Sequence, residues 1–176
     1  MNALLLLLAS VSFATAQWPD PKSPVVPAAD GYVAIPNVAL PPARENTYRA
    51  IFDATHAADK LAQLVPALNM AGSELNALAV AHVPMEKAKF VVVFHGLAVD
   101  GILDEAHYKA KFGIGNPNLK TIAEMKKQGV EFYVCGQYLA GEKIDPKTLV
   151  PDVTVAADAL LVLMQYQNKG YALLSF

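Results

Sequence analysis

Cysteine is nearly missing from this chain: Cys135 is the only one in 176 residues. That count excludes a disulfide within the chain, while an intermolecular one stays open. Charge is sparse as well, at 17% of residues and a formal net charge of −2, with no basic block and no acidic tail. Nucleic acid therefore has no electrostatic footprint to bind. The four histidines, His56, His82, His95 and His107, never stand in an H-x-x-x-H spacing, so no metal site is expected. No G-x-S-x-G elbow supports a serine hydrolase. The glycine-rich stretch GIGNPN, residues 113–118, lacks the Lys-Ser/Thr of a phosphate-cradling loop. No internal repeat is visible, and no bound cofactor is expected.

What the chain has in quantity is apolar side chains, 54% of residues. Some belong to its first segment. A pure leucine run, Leu4 to Leu8, extends through Ala9, Val11 and Phe13 and ends in Ala14-Thr15-Ala16. A short apolar stretch before an A-x-A pattern reads as a secretory signal peptide over residues 1–16, with cleavage before Gln17, although no Lys or Arg precedes the run. It falls short of the roughly 20 apolar residues of a spanning helix, so no membrane insertion is expected after its removal. The mature protein is expected to be exported, into the periplasm, as one domain of roughly 160 residues with an adequate core.

Residues 17–42 hold seven of the twelve prolines. No helix or central strand tolerates that density, so an extended N-terminal arm is expected, with a short edge pairing near Tyr32 to Ile35. A loose linker and an arm wrapping a neighbouring subunit are both open. Beyond it, residues 43–176 alternate between strand-like and helix-like segments. Tyr48 to Ala54 reads as a strand, and Asp59 to Leu78 as a helix that Pro66 or Gly72 could break. Phe90 to Phe94 is a continuous apolar run of β-formers, as a strand buried on both faces requires. Residues 104–111 could make a short helix. Asn116 then caps the next one, with Pro117 in its first position. Val130 to Val134 is a strand, Val153 to Val155 starts another, a helix follows to about Asn168, and Tyr171 to Phe176 closes the chain. The alternation implies a doubly wound α/β fold: three layers, a mostly parallel five-stranded sheet, and helices on both faces. Val155 to Tyr166 is almost wholly apolar, with Asp158, Gln165 and Lys169 on one thin stripe. That suits a helix at a subunit contact, or a tightly covered core helix.

In such sheets ligands bind beyond the carboxyl ends of the strands. His95-Gly96 follows one central strand and Cys135-Gly136-Gln137 another, so His95 and Cys135 are expected to face one crevice. The glycines let the backbone turn sharply there. A thiol at a strand-to-helix junction lies near the positive end of the helix dipole, which favours the thiolate that accepts sulfur as a persulfide. A lone cysteine is also commonly a small buried apolar residue, and both readings stand. Asn116 is a further binding candidate, because its helix start could attract an anion. Asp53 and His56 read as a cap or turn at the end of the first strand, His82 as a helix-end residue and His107 as solvated.

Taken together, a strand ending in FHG, an NPN helix start, a strand ending in CGQ and a final GYALLSF resemble the DsrE/DsrF-like family, especially its exported branch. The likeness runs from about residue 45 to the end. It implies a flavodoxin-like α/β fold, assembly into homo-trimers or hexamers, and a crevice cysteine carrying persulfide sulfur, here matched by Cys135. The partner would be a sulfur donor or acceptor protein or a small sulfur species. His95 would polarise or orient the site, and Gln137 with the N–H groups after Cys135 would hold the anion. The alternative is a non-catalytic oligomeric module that binds a small ligand and keeps Cys135 inert. Export has its own check: N-terminal sequencing of protein from the envelope fraction should begin at Gln17. An intact Met1 in a cytoplasmic fraction would contradict it.

Overall fold

A computed structural model describes residues 18–176, so the expected signal peptide lies outside the described residues. Five strands form one parallel sheet: β1 (Tyr48–Ala54), β2 (Ala88–Phe94), β3 (Glu131–Cys135), β4 (Thr154–Ala156) and β5 (Ala172–Ser175), in the order β4-β3-β2-β1-β5. Between them run α1 (Pro66–Val80), α2 (Glu105–Phe112), α3 (Asn118–Lys127), α4 (Gly136–Glu142) and α5 (Ala159–Asn168). Among the described residues no helix is long and apolar enough to cross a membrane.

Strand order decides which face each helix covers. The chain steps from β1 to β4 in one direction and then returns past β1 to place β5. Crossovers between parallel strands are right-handed, so reversing direction puts the last helix on the opposite face. The packing follows. Phe52, Val92, Phe94 and Phe132 pack with Leu68 and Leu75 of α1 and Ile122 and Met125 of α3. Ile51, Val91, Val93 and Cys135 pack with Ala159, Val162, Leu163 and Tyr166 of α5 alone. The apolar run of β2 is buried on both faces, as its composition requires.

Four local details differ from the sequence reading. The first helix begins at Pro66, because proline needs no N–H partner in a first turn, and residues 59–65 form turns instead. Gly72 does not break that helix; a Cβ there would come 2.6 Å from Cβ of Ala29, so glycine lets the arm lie close. The next helix starts one residue late, at Asn118, so Pro117 rather than Asn116 takes the N-cap position, and Asn116 Oδ1 accepts from the Asn118 N–H at 2.9 Å in a turn before the helix. Asp158 leaves the polar stripe and caps α5, its Oδ1 accepting from the Leu161 N–H at 3.1 Å.

The arm lies on its own chain. An antiparallel bridge joins Lys22 to Tyr32, and Val26 and Ala29 between them enter the α1 side of the core. One fully buried side chain anchors this loop. Asn76 of α1 accepts from the Val25 and Val26 N–H groups at 3.0 and 2.9 Å and donates to the Val26 and Asp30 carbonyls at 3.0 and 3.2 Å. Asn69 adds a reciprocal pair with Asp30 at the rim. Asn76→Ala strands two buried N–H groups and two carbonyls, so it should cost about 2–4 kcal/mol in urea unfolding and open the Lys22–Tyr32 loop to trypsin. A loss below about 0.5 kcal/mol would mean that water replaces the amide without cost.

Candidate functional site

Side chains alternate along a strand, and residues in register on parallel neighbours share a face. Ile51, Val91 and Val93 lie against α5, so Asp53 and His95, two residues further on, emerge on that face at the carboxyl edge. His95 stays extended past the end of β2, its N–H donating to the Ala54 carbonyl at 3.0 Å. Phe94 stands opposite Val134, so His95 and Cys135 are the next residues along neighbouring strands at the carboxyl edge. The structure thus brings His95 and Cys135 to one edge and one face.

Each is held by a carboxylate. His95 Nε2 lies 2.7 Å from Asp53 Oδ1, and the Ser175 hydroxyl donates to Asp53 Oδ2 at 3.3 Å, so β5, β1 and β2 contribute a continuous chain of polar groups. Cys135 is 6% exposed and its Sγ lies 4.0 Å from Asp158 Oδ2, the carboxylate whose other oxygen caps α5. Asp53 is therefore not the cap or turn residue that its position suggested, but a strand residue that orients an imidazole. The alternation in YRAIFDA, which puts an acid on the face of Ile51, was the available signal. Asp158 and Ser175 were not singled out, since only the crossover and the register bring them here.

The glycines have distinct tasks. Gly96 adopts φ +60° directly after His95, where a Cβ would stand 3.0 Å from the Thr55 carbonyl. Gly136 opens α4 immediately after Cys135, and a Cβ there would lie 2.6 Å from the Ala156 carbonyl. Close approach of β4 is what that position demands. Gln137 turns toward the same loop, its Nε2 donating to the Ala157 carbonyl at 3.4 Å, so it braces the residue next to Asp158.

Asn116 stands apart. Its amide donates to the Gly101 and Leu103 carbonyls at 3.0 and 2.6 Å, and its oxygen accepts from Asn118, so its hydrogen bonds hold the start of α3 on the other face of the sheet. The remaining histidines also have local roles. His56 Nδ1 meets Thr55 Oγ1 at 2.7 Å, His107 pairs with the α2 cap Asp104, and His82 takes a left-handed turn after α1. Among the described residues no group of three His, Cys, Asp or Glu could hold a metal ion.

A polar knot fixes α5 over the sheet. Glu131 Oε2 accepts from the hydroxyls of Tyr133 and Tyr166 at 3.0 and 2.9 Å, and Tyr171 packs edge-on against Tyr166. Burial first, then the bonds to Tyr133 and Glu131, push the Tyr166 hydroxyl well above its ordinary pKa, so it stays a donor. Beside it a depression of about 240 Å³, lined by Tyr133, Ala156, Asp158, Leu161, Val162 and Tyr166 among others, reaches the residues that flank Cys135.

The DsrE/DsrF-like family matches residues 44–176. No curated protein matches the chain. Among solved structures, the protein of unknown function MTH1491 from Methanobacterium thermoautotrophicum superposes with a TM-score of 0.54 at 19% identity, over 73% of this chain and 99% of that one. The ychN protein from E. coli gives a TM-score of 0.53 at 19% identity over the same shares. At that identity the likeness concerns the fold.

Proposed function

The chain belongs to the DsrE/DsrF-like family, and from that premise we propose that Cys135 takes up sulfane sulfur as a persulfide and passes it on. The observation that carries the reading is the pairing of the one thiol with a proton acceptor at the carboxyl edge, Cys135 Sγ against Asp158 Oδ2 at 4.0 Å. Asp158 takes the thiol proton, and the thiolate attacks the outer sulfur of a persulfide or polysulfide donor. One S–S bond forms at Cys135 as the donor's breaks, the donor leaves as a thiolate, and no net oxidation occurs. The depression along Ala156 and Asp158 suits a small sulfur species. His95, oriented by Asp53, stands at the same edge beside the incoming sulfur and positions it. In this reading the protein acts outside the cytoplasm, on a small donor or a partner protein.

The low exposure of Cys135 favours a second reading, a binding module with an inert thiol. Intact-mass measurement after polysulfide treatment separates them. The sulfur-carrier reading expects a gain of one sulfur atom on the native protein, absent in Cys135→Ser and formed more slowly in Asp158→Asn. No adduct, together with no alkylation of Cys135 in the native state, refutes it.

Assembly belongs to the same proposal. Leu160, Leu161 and Met164 on the outer side of α5 are 58%, 48% and 52% exposed, and Leu173 of β5 adds to the same face. Soluble monomers rarely show a continuous apolar patch of this kind, and closed symmetry would cover it. A homo-trimer or its doubled hexamer is expected, giving a light-scattering mass several times that of one chain. Leu160→Glu should dissociate it. A native monomer that tolerates the substitution would return α5 to an ordinary single-chain role.

A further inference from the structure

On the α1 side of the sheet, away from Cys135, a cavity of about 510 Å³ lies between the arm and the edge formed by β1 and β5. Topology leaves it there. The crossover into β5 runs over the other face, so no helix covers Ala172 and Leu174 on this one, and the arm's Leu40 to Ala43 form the far wall instead. That wall is fixed. The Tyr48 hydroxyl bonds both the N–H and the carbonyl of Ala43, at 2.8 and 3.1 Å, Arg44 Nε donates to the Ala81 carbonyl, and Lys87 Nζ donates to the Glu45 carbonyl. Leu40 at the rim is 92% exposed, an apolar lip facing solvent. The size falls within the roughly 300–1,000 Å³ of small-molecule sites, and the lining is mainly apolar with few polar groups, as such sites are.

Two lining residues carry a charge, Arg49 and Glu74. Arg49 alternates to the other face, where its charge acts on Tyr171, and the Tyr48 hydroxyl is already bonded to Ala43. Glu74 of α1 borders the cavity at its rim with its side chain open to solvent, partial desolvation raises its carboxyl above the usual range, and no hydrogen bond or ion pair among the described residues engages it. A partly desolvated carboxylate at the rim of an apolar cavity favours a cationic head with N–H donors over a neutral or anionic one. We propose that this cavity binds a small amphiphilic cation, an alkyl- or arylammonium, with its apolar body against Phe52, Phe90 and Leu174 and its head at Glu74.

The test compares phenylbutylammonium, phenylbutanol and phenylbutanoate by calorimetry on the mature chain. The ammonium should bind at least about tenfold more tightly than the alcohol, and the carboxylate weakest of all. Glu74→Gln should bring ammonium and alcohol within about twofold of each other while leaving alcohol binding unchanged. Ala172→Trp, which adds a ring at the exposed edge, should weaken all three. Equal binding of ammonium and alcohol, a preference that survives Glu74→Gln, or no binding of any probe would overturn the proposal. None of these residues lies in the Cys135 site, so sulfur loading in Glu74→Gln should match the native protein and keeps the two questions separate.

Discussion

The handedness of one crossover organises this molecule. Four strands are laid down in one direction, and a single reversal carries the chain back to the far side of β1. A right-handed connection then has no choice of face, and α5 lands alone opposite α1 and α3. A five-stranded sheet is about 20 Å wide at a strand spacing near 4.8 Å, roughly twice the diameter of one helix. One face is therefore layered by several helices and the other covered by α5 alone. The thin face receives the thiol, the imidazole and the two carboxylates. The thick face keeps an uncovered corner where β5 arrives from the wrong side.

Both consequences depend on directed polar contacts as well as on apolar area. Hydrophobic burial is not directional, so it would let α5 slide over Ile51, Val91 and Val93. Glu131, accepting from two tyrosines on different elements, fixes α5 to β3 at one end, and Asp158 ties its other end to Cys135. On the opposite side Asn76 and Asn118 do the same for the arm and for the start of α1, Asn118 Oδ1 accepting from the Val65 N–H at 2.8 Å. Asn76 and Asn118 are buried, so stranding either is costly, while the exposed Glu131 and the half-buried Asp158 act through bond direction at the rim.

The sheet was legible in the sequence because burial on both faces writes a continuous apolar run, as in Phe90 to Phe94, and glycines mark the strand ends at Gly96 and Gly136. His95 and Cys135 could be assigned to one edge on that basis, since both follow central strands directly. Asp53 and Asp158 could not be assigned their partners. Their roles rest on register and on the reversal of β5, which no local pattern encodes. The docking of the arm was hidden for a similar reason: Asn76 in mid-helix looks like an indifferent polar residue until four backbone groups from residues 25–30 meet it. Asn116 stands just ahead of the helix start that its sequence signal announced, and its buried amide is taken up by backbone groups of residues 101, 103 and 118.

The position of Cys135 also constrains how anything could reach it. Asp158 caps the helix whose next residues, Leu160 and Leu161, point outward and are apolar. If a second subunit covers that patch, it closes the approach over α5 and sits at the rim of the thiol. What stays open is the carboxyl edge itself, on the side where the partly exposed His95 stands between Asp53 and Cys135. An approach along that edge meets the imidazole before the sulfur. In the sulfur-carrier reading proposed above, a donor presented there would have to be narrow, either a small polysulfide or the extended tip of a larger partner. Within that reading, burial of the thiol is compatible with sulfur transfer only by approach along the carboxyl edge, since α5 covers the face of the sheet over Cys135.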